Sequence, residues 1–152
     1  MAGDGEVLDG AHVVDEARQW IGTPYRHQAS AKGAGADCLG LIRGVWRALV
    51  GAEPEAPPPY SRDWCEISRD EALWRAAARW LRPFDGEEDG VVLLFRMAET
   101  APAKHLAILA SDTSGASTII HAYSGRAVIE SPFCESWRRR VAAAFQYPKR
   151  DV

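Results

Sequence analysis

Apolar residues at Val13, Val14, Ala17 and Trp20 fall on one face at helical spacing, so Val13 to Trp20 is predicted as an amphipathic helix ended by Gly22 and Pro24. The glycine-rich and small polar stretch from Thr23 to Ala36 reads as a loop, after which a second helix starts at Asp37 and runs to about Val50. Pro54, Pro57, Pro58 and Pro59 cannot continue that helix and predict an extended surface crossing between two parts of one domain. A third helix is predicted over Ser68 to Leu81. Ser68 and Glu71 have capping-box spacing, and Leu73, Ala76, Ala77 and Trp80 form its apolar stripe.

Beyond Asp85 to Gly90 the pattern changes to short apolar runs: Val91 to Met97, His105 to Ala110, Thr118 to Tyr123, Ala127 to Ile129 and Val141 to Tyr147. These read as strands. Ser124 and Gly125 leave room only for a tight turn, so the third and fourth runs form a hairpin and are antiparallel. Helices first and an antiparallel sheet second predict an α+β domain, with N-terminal helices packed on a C-terminal sheet. All 152 residues form one domain in this reading, with residues 1–10 flexible.

Composition narrows the function classes. At 152 residues, 47% hydrophobic and 26% charged, the chain suits one soluble globular domain able to bury roughly 70% of its unfolded surface. A net charge of −3 argues against nucleic acid as a partner. No run approaches a membrane span, and Met1 to Gly10 lacks the basic start and apolar core of a secretory signal, so membrane insertion is not expected and synthesis in the cytoplasm is. Three cysteines at irregular spacing suggest reduced thiols rather than a disulfide framework. No cysteine or histidine pair has zinc-like spacing, so neither a metal nor another cofactor is expected.

Candidate chemistry centres on Cys38. It follows Asp37 at a predicted helix start, where unpaired N–H groups favour a thiolate and can also stabilise an oxyanion. A small buried hydrophobe accounts for Cys38 equally well on local grounds. A thiol peptidase further needs an imidazole, held as an ion pair with the thiolate, and a group to orient it. His105 opens an apolar strand and His121 lies inside another, so either can project from the sheet onto a helix end. Taken singly, each is also a plain core or edge histidine.

The block GTPYRHQASAKGAGADCLGLIRGVW, Gly22 to Trp46, resembles the region around the nucleophile in the NlpC type of papain-like cysteine peptidases. KHLAILA (104–110) and IIHAYS (119–124) are similar to that family's histidine strand and to the strand bearing its third polar residue. The three motifs occur in the family's order, and the resemblance spans roughly Ala11 to Tyr147. It implies a papain-like fold with Cys38 as nucleophile, His105 as base and acid, His121 as the orienting group and Tyr25 near the oxyanion through its hydroxyl. Asp37 would supply charge for a substrate amine, and is also a helix N-cap. The family hydrolyses the bond between γ-D-glutamate and a diamino acid in peptidoglycan stem peptides. Family members commonly have serine after the cysteine, whereas this chain has Leu39, which leaves the bond open.

The stand-alone form resembles tail-associated peptidases of phages and gene transfer agents. That implies a tail-tip or baseplate hub protein as partner and action on the periplasmic wall after delivery by a particle. Two other readings stay open: a structural tail-tip adaptor that keeps the fold, and an amidase or acyltransferase using the same site. Arg138, Arg139 and Arg140 read as a solvated element end. His27 is a loop residue near the site, and Cys65 and Cys134 are structural thiols.

Overall fold

Helix α1 (Gly10–Arg18) starts where Asp9 accepts the N–H of Ala11 at 2.9 Å, three residues earlier than the apolar periodicity alone predicts. The computed structural model describes residues 6–54, 71–100, 103–123 and 125–150. Within these, the N–H of Leu8 donates to Tyr147 O at 3.0 Å and Val7 bridges Pro148.

The glycine-rich loop holds a two-stranded antiparallel ribbon, β1 (Ser30–Ala31) and β2 (Gly35–Ala36), that periodicity did not reveal. It delivers the chain to α2 (Cys38–Leu49), with Asp37 as N-cap, one residue from the expected start. Helix α3 (Ala72–Trp80) falls within the predicted span, whose first residues, Ser68 included, lie outside the described residues. Glu71 makes no cap bond; its carboxylate instead accepts from the Ala103 N–H (2.9 Å) and pairs with Arg96 (2.6 Å). Most of the proline-rich crossing and Cys65 also lie outside the described residues.

Six strands follow: β3 (Arg82–Pro83), β4 (Val92–Arg96), β5 (Ala103–Ser111), β6 (Ser117–Ala122), β7 (Val128–Pro132) and β8 (Val141–Gln146), with α4 (Glu135–Arg138) between the last two. They form one antiparallel sheet in the order β3-β8-β4-β5-β6-β7. The α+β arrangement is as predicted, and β6 and β7 form the expected hairpin. The short β3 and α4 are too brief to leave a periodic signal.

Side chains alternate along β4 and β5. Val92, Leu94, Leu106, Ile108 and Ala110 pack with Val13, Ala17, Leu41 and Val45 of the two helices, while Leu93, Phe95, Ala107 and Leu109 pack on the other face with Ile119 and Phe133. Burial on both faces is why these strands read as unbroken apolar runs. Among the described residues no helix is long and apolar enough to cross a membrane.

Two glycines set how closely α2 is held. The Trp20 ring lies over Gly44, where a Cβ would come within 2.0 Å of it. At Gly40 a Cβ would stand 1.9 Å from the carbonyl oxygen of Ala29, a backbone atom that cannot swing away. Gly40→Ala is therefore expected to destabilise the fold by about 1–3 kcal/mol despite alanine's better helix propensity. A lowered urea midpoint with unchanged m-value would show this; an unchanged midpoint would mean that the loop gives way freely.

Candidate active site

Asp37 fixes the first turn of α2. Its Oδ1 accepts the Gly40 N–H and its Oδ2 the Gln28 N–H, both at 2.7 Å, and the residue is 2% exposed. The carboxylate thus caps the helix and ties down the preceding loop, with His27 Nδ1 at 4.0 Å from Oδ2. Tyr25 sits beside this turn: its backbone pairs in parallel with Ala36, its N–H donates to Arg126 O at 3.1 Å, and it packs against the helix-side core.

Cys38 is the first residue of α2 and is partly buried. Its Sγ lies 3.9 Å from the carbonyl oxygen of Lys104, and the N–H of Leu106 also faces the sulfur. The thiol therefore meets β5 at the two peptide units flanking His105. A register shift occurs at this point: Phe95 pairs with His105 but Arg96 with Ala103, leaving Lys104 as the extra residue of a bulge. Bulges bend a strand and re-aim its side chains, and they recur beside active sites.

The two strand histidines are brought together. His105 Nε2 lies 2.8 Å from His121 Nδ1, and His121 Nε2 lies 3.3 Å from Ser131 Oγ. If His105 is to accept a proton from a thiol, Nδ1 must be its bare nitrogen. Nε2–H then donates to His121 Nδ1, and His121 Nε2–H donates to Ser131 Oγ. One tautomer pattern satisfies all three residues. His105 and His121 are 9% and 2% exposed, and the rings of Phe95, Tyr123 and Trp137 surround them.

The electrostatics differ from the expected ion pair. Burial, reinforced by the Asp37 carboxylate, pushes the Cys38 thiol up to about 12 against the opposing N–H groups of Leu106, Leu39 and Cys38. Burial also holds His105 down to about 3, with His121 and Lys104 adding to the effect, and His121 down to about 4. Burial therefore favours a neutral thiol and a neutral imidazole, because desolvation outweighs the helix terminus.

This has a consequence for stability. As pH falls below about 6.5 the unfolded chain takes up protons that the two buried histidines refuse. Their contribution is full above that value, declines as pH falls, and is lost by the folded-state values of about 4 and 3. Each histidine should cost up to about 1.4 kcal/mol per pH unit in that window. Urea midpoints measured at pH 7 and pH 5, above the main carboxylate range, should fall accordingly; equal midpoints would contradict neutral burial.

Sequence reasoning missed Ser131, Gly40 and Trp137. Ser131 pairs with Ile119, two residues from His121 on the same face, which becomes visible only once the hairpin register is known. Trp137 directly precedes the basic run Arg138 to Arg140 and carries no motif that points to the site. That run is engaged locally: Arg138 pairs with Glu87 and lies 4.5 Å over the Phe133 ring, and Arg140 donates to Ser136 Oγ at 2.9 Å. Cys134 is exposed, and no cap bond from its side chain supports α4. Among the described residues no three His, Cys, Asp or Glu side chains are grouped to hold a metal ion.

Comparison with known proteins places this geometry in a fold. No protein-family model matches the sequence, and no curated protein matches it. Among solved structures, the NlpC/p60 domain of the peptidoglycan hydrolase SagA is similar, with TM-score 0.61 and 21% identity over 91% of this chain and 99% of that one. An NlpC/p60 family protein from Bacillus cereus gives TM-score 0.61 at 18% identity, covering 95% of this chain and 42% of the other. A lipoprotein-like NLP/P60 protein from Staphylococcus aureus gives 0.58 at 16% identity, covering 96% and 44%. The chain spans nearly all of the first relative and under half of the other two. At these identities the likeness establishes the fold: the helices and six-stranded sheet have the papain-like NlpC/p60 arrangement.

Proposed function

We propose that this chain is a cysteine peptidase that hydrolyses peptidoglycan stem peptides at the bond between γ-D-glutamate and a diamino acid. The observation that carries this is the ordered set of Cys38 at a helix start against the peptide units of His105, with His105, His121 and Ser131 linked in series. The fold shared with a domain of a peptidoglycan hydrolase supports the substrate class.

In the mechanism, Sγ attacks the peptide carbonyl carbon as its proton passes to Nδ1 of His105, so the thiolate need not exist beforehand. The oxyanion that forms is stabilised by N–H groups of the first turn of α2, with the Tyr25 hydroxyl as a further donor. The C–N bond then breaks, the proton on Nδ1 goes to the leaving amine, and an acyl thioester remains on Cys38. Water attacks the thioester, gives its proton to Nδ1, and the acid leaves as the thiol is restored. His121 fixes the ring of His105 and shares the positive charge that develops there, while Ser131 fixes His121. Asp37, with both oxygens held by main-chain N–H groups, acts on a substrate amine through its charge alone.

Incubation with purified diaminopimelate-containing sacculi should release peptides with a new diamino-acid N-terminus, seen by mass spectrometry; release of sugar fragments alone would overturn the assignment. Delivery on a phage-like tail, docked to a tip or baseplate hub protein, is the second part of the proposal and is supported by the sequence resemblance. Particles purified from a producer should contain the chain, and its absence from them would remove this part.

A further inference from the structure

We propose that Trp137 is a positioning residue that seals the hydrogen-bonded His105–His121 pair from water and holds the two rings in register. Helix α4 has only four residues, and Trp137 alone of them is turned inward; Glu135, Ser136 and Arg138 are exposed. Its indole centroid lies 5.6 Å from the His105 ring, tilted by 31°, and 5.3 Å from the His121 ring at 85°. The indole is thus tilted against one imidazole and near-perpendicular to the other, and it also meets Phe95 at 5.0 Å and Tyr123 at 6.4 Å. Such tilted and edge arrangements are favoured by about 0.5–1.5 kcal/mol beyond simple area burial. The helix is tethered by Arg138, which pairs with Glu87 and covers Phe133.

The charged and titratable groups around the pair do not replace this seal. Lys104 of β5 acts on His105, and the neutral thiol of Cys38 comes from α2 beside the capped Asp37. Tyr123 of β6 offers a ring and a phenol. On β4 Arg96 is paired with Glu71, and on β7 Glu130 is paired with Arg18. From α4 and the residues after it come exposed Glu135, the tethered Arg138, and Arg140, which lies 6.0 Å over the indole. Desolvation is the first cause holding both histidines neutral, and Trp137 is one of the aromatic rings packed against both.

This inference deepens the peptidase reading and rests on it only where activity is concerned. The test is imidazole NMR titration between pH 3 and 8 for wild type, Trp137→Phe and Trp137→Ala. In the alanine variant the midpoints of His105 and His121 should rise toward the ordinary value near 6.5 by about one unit or more, and phenylalanine should restore most of the depression. The acid limb of kcat/KM should move with them. Unchanged midpoints in a folded Trp137→Ala protein would overturn the proposal whatever happens to activity. Should the alanine variant fail to fold, Trp137→Val, which thins the cover without removing it, is decided by the same midpoints. Shifted midpoints in a protein without hydrolytic activity would leave this inference standing and remove the peptidase reading.

Discussion

Cys38→Ala is expected to leave a folded protein whose stem-peptide hydrolysis falls to background, a loss of about 10⁴-fold or more in kcat. The size follows from the role: among the described residues Cys38 is the cysteine that meets the histidine strand, whereas Cys134 is exposed at the N-cap of α4. The fold should tolerate the change. Only Sγ is removed, its contacts are a long 3.9 Å approach to Lys104 O and the facing N–H of Leu106, and the helix cap by Asp37 does not involve the side chain of Cys38. Circular dichroism melting within a few degrees of wild type, together with lost turnover, is the expected pair of results. Retained turnover in the folded variant would remove Cys38 from the mechanism.

Replacing His105 should produce the second largest loss, about 10²–10⁴-fold in kcat, the range typical of a general acid–base group. Alanine at this buried position would leave His121 Nδ1 without its 2.8 Å partner, at a cost of about 1–3 kcal/mol. His105→Gln keeps a hydrogen-bonding group there and is the better probe of chemistry. With Cys38 present but no base, the thiol should react slowly with iodoacetamide until the pH approaches its raised value of about 12. His121→Asn should cost less than either, because it alters the orientation of His105 rather than the proton transfer itself. Equal losses at His105 and His121 would indicate that the proton travels through both rings.

Much of this site was legible in the sequence because its parts leave local signals. Asp37 before Cys38 marks a helix start through capping chemistry alone, and α2 begins there. His105 and His121 interrupt apolar strands, and in a sheet buried on both faces an ionisable side chain stands out. What was not legible depends on register and long-range packing. Ser131 becomes a partner of His121 only through the β6–β7 pairing, and Trp137 covers the pair from a helix of four residues, too short for any period. The bulge at Lys104 depends on how β4 pairs with β5.

The resting charge state depends on packing for a related reason. A helix N-terminus and a nearby imidazole both favour a thiolate when judged by proximity, and that suggested an ion pair. Enclosure between α2 and β5, with an aromatic shell over the histidines, reverses the balance through desolvation, which no local motif encodes. Glu71 shows the same limit on local rules: a position suited to a capping box is used to reach across to Arg96 and the start of β5.

The most direct test of the central claim is mass spectrometry of a defined L-alanyl-γ-D-glutamyl-diaminopimelyl stem peptide after incubation with wild type and with Cys38→Ala. Cleavage after D-glutamate by the wild type alone is the predicted result. An intact peptide with both folded proteins, or equal cleavage by both, would contradict a Cys38 peptidase acting on this bond.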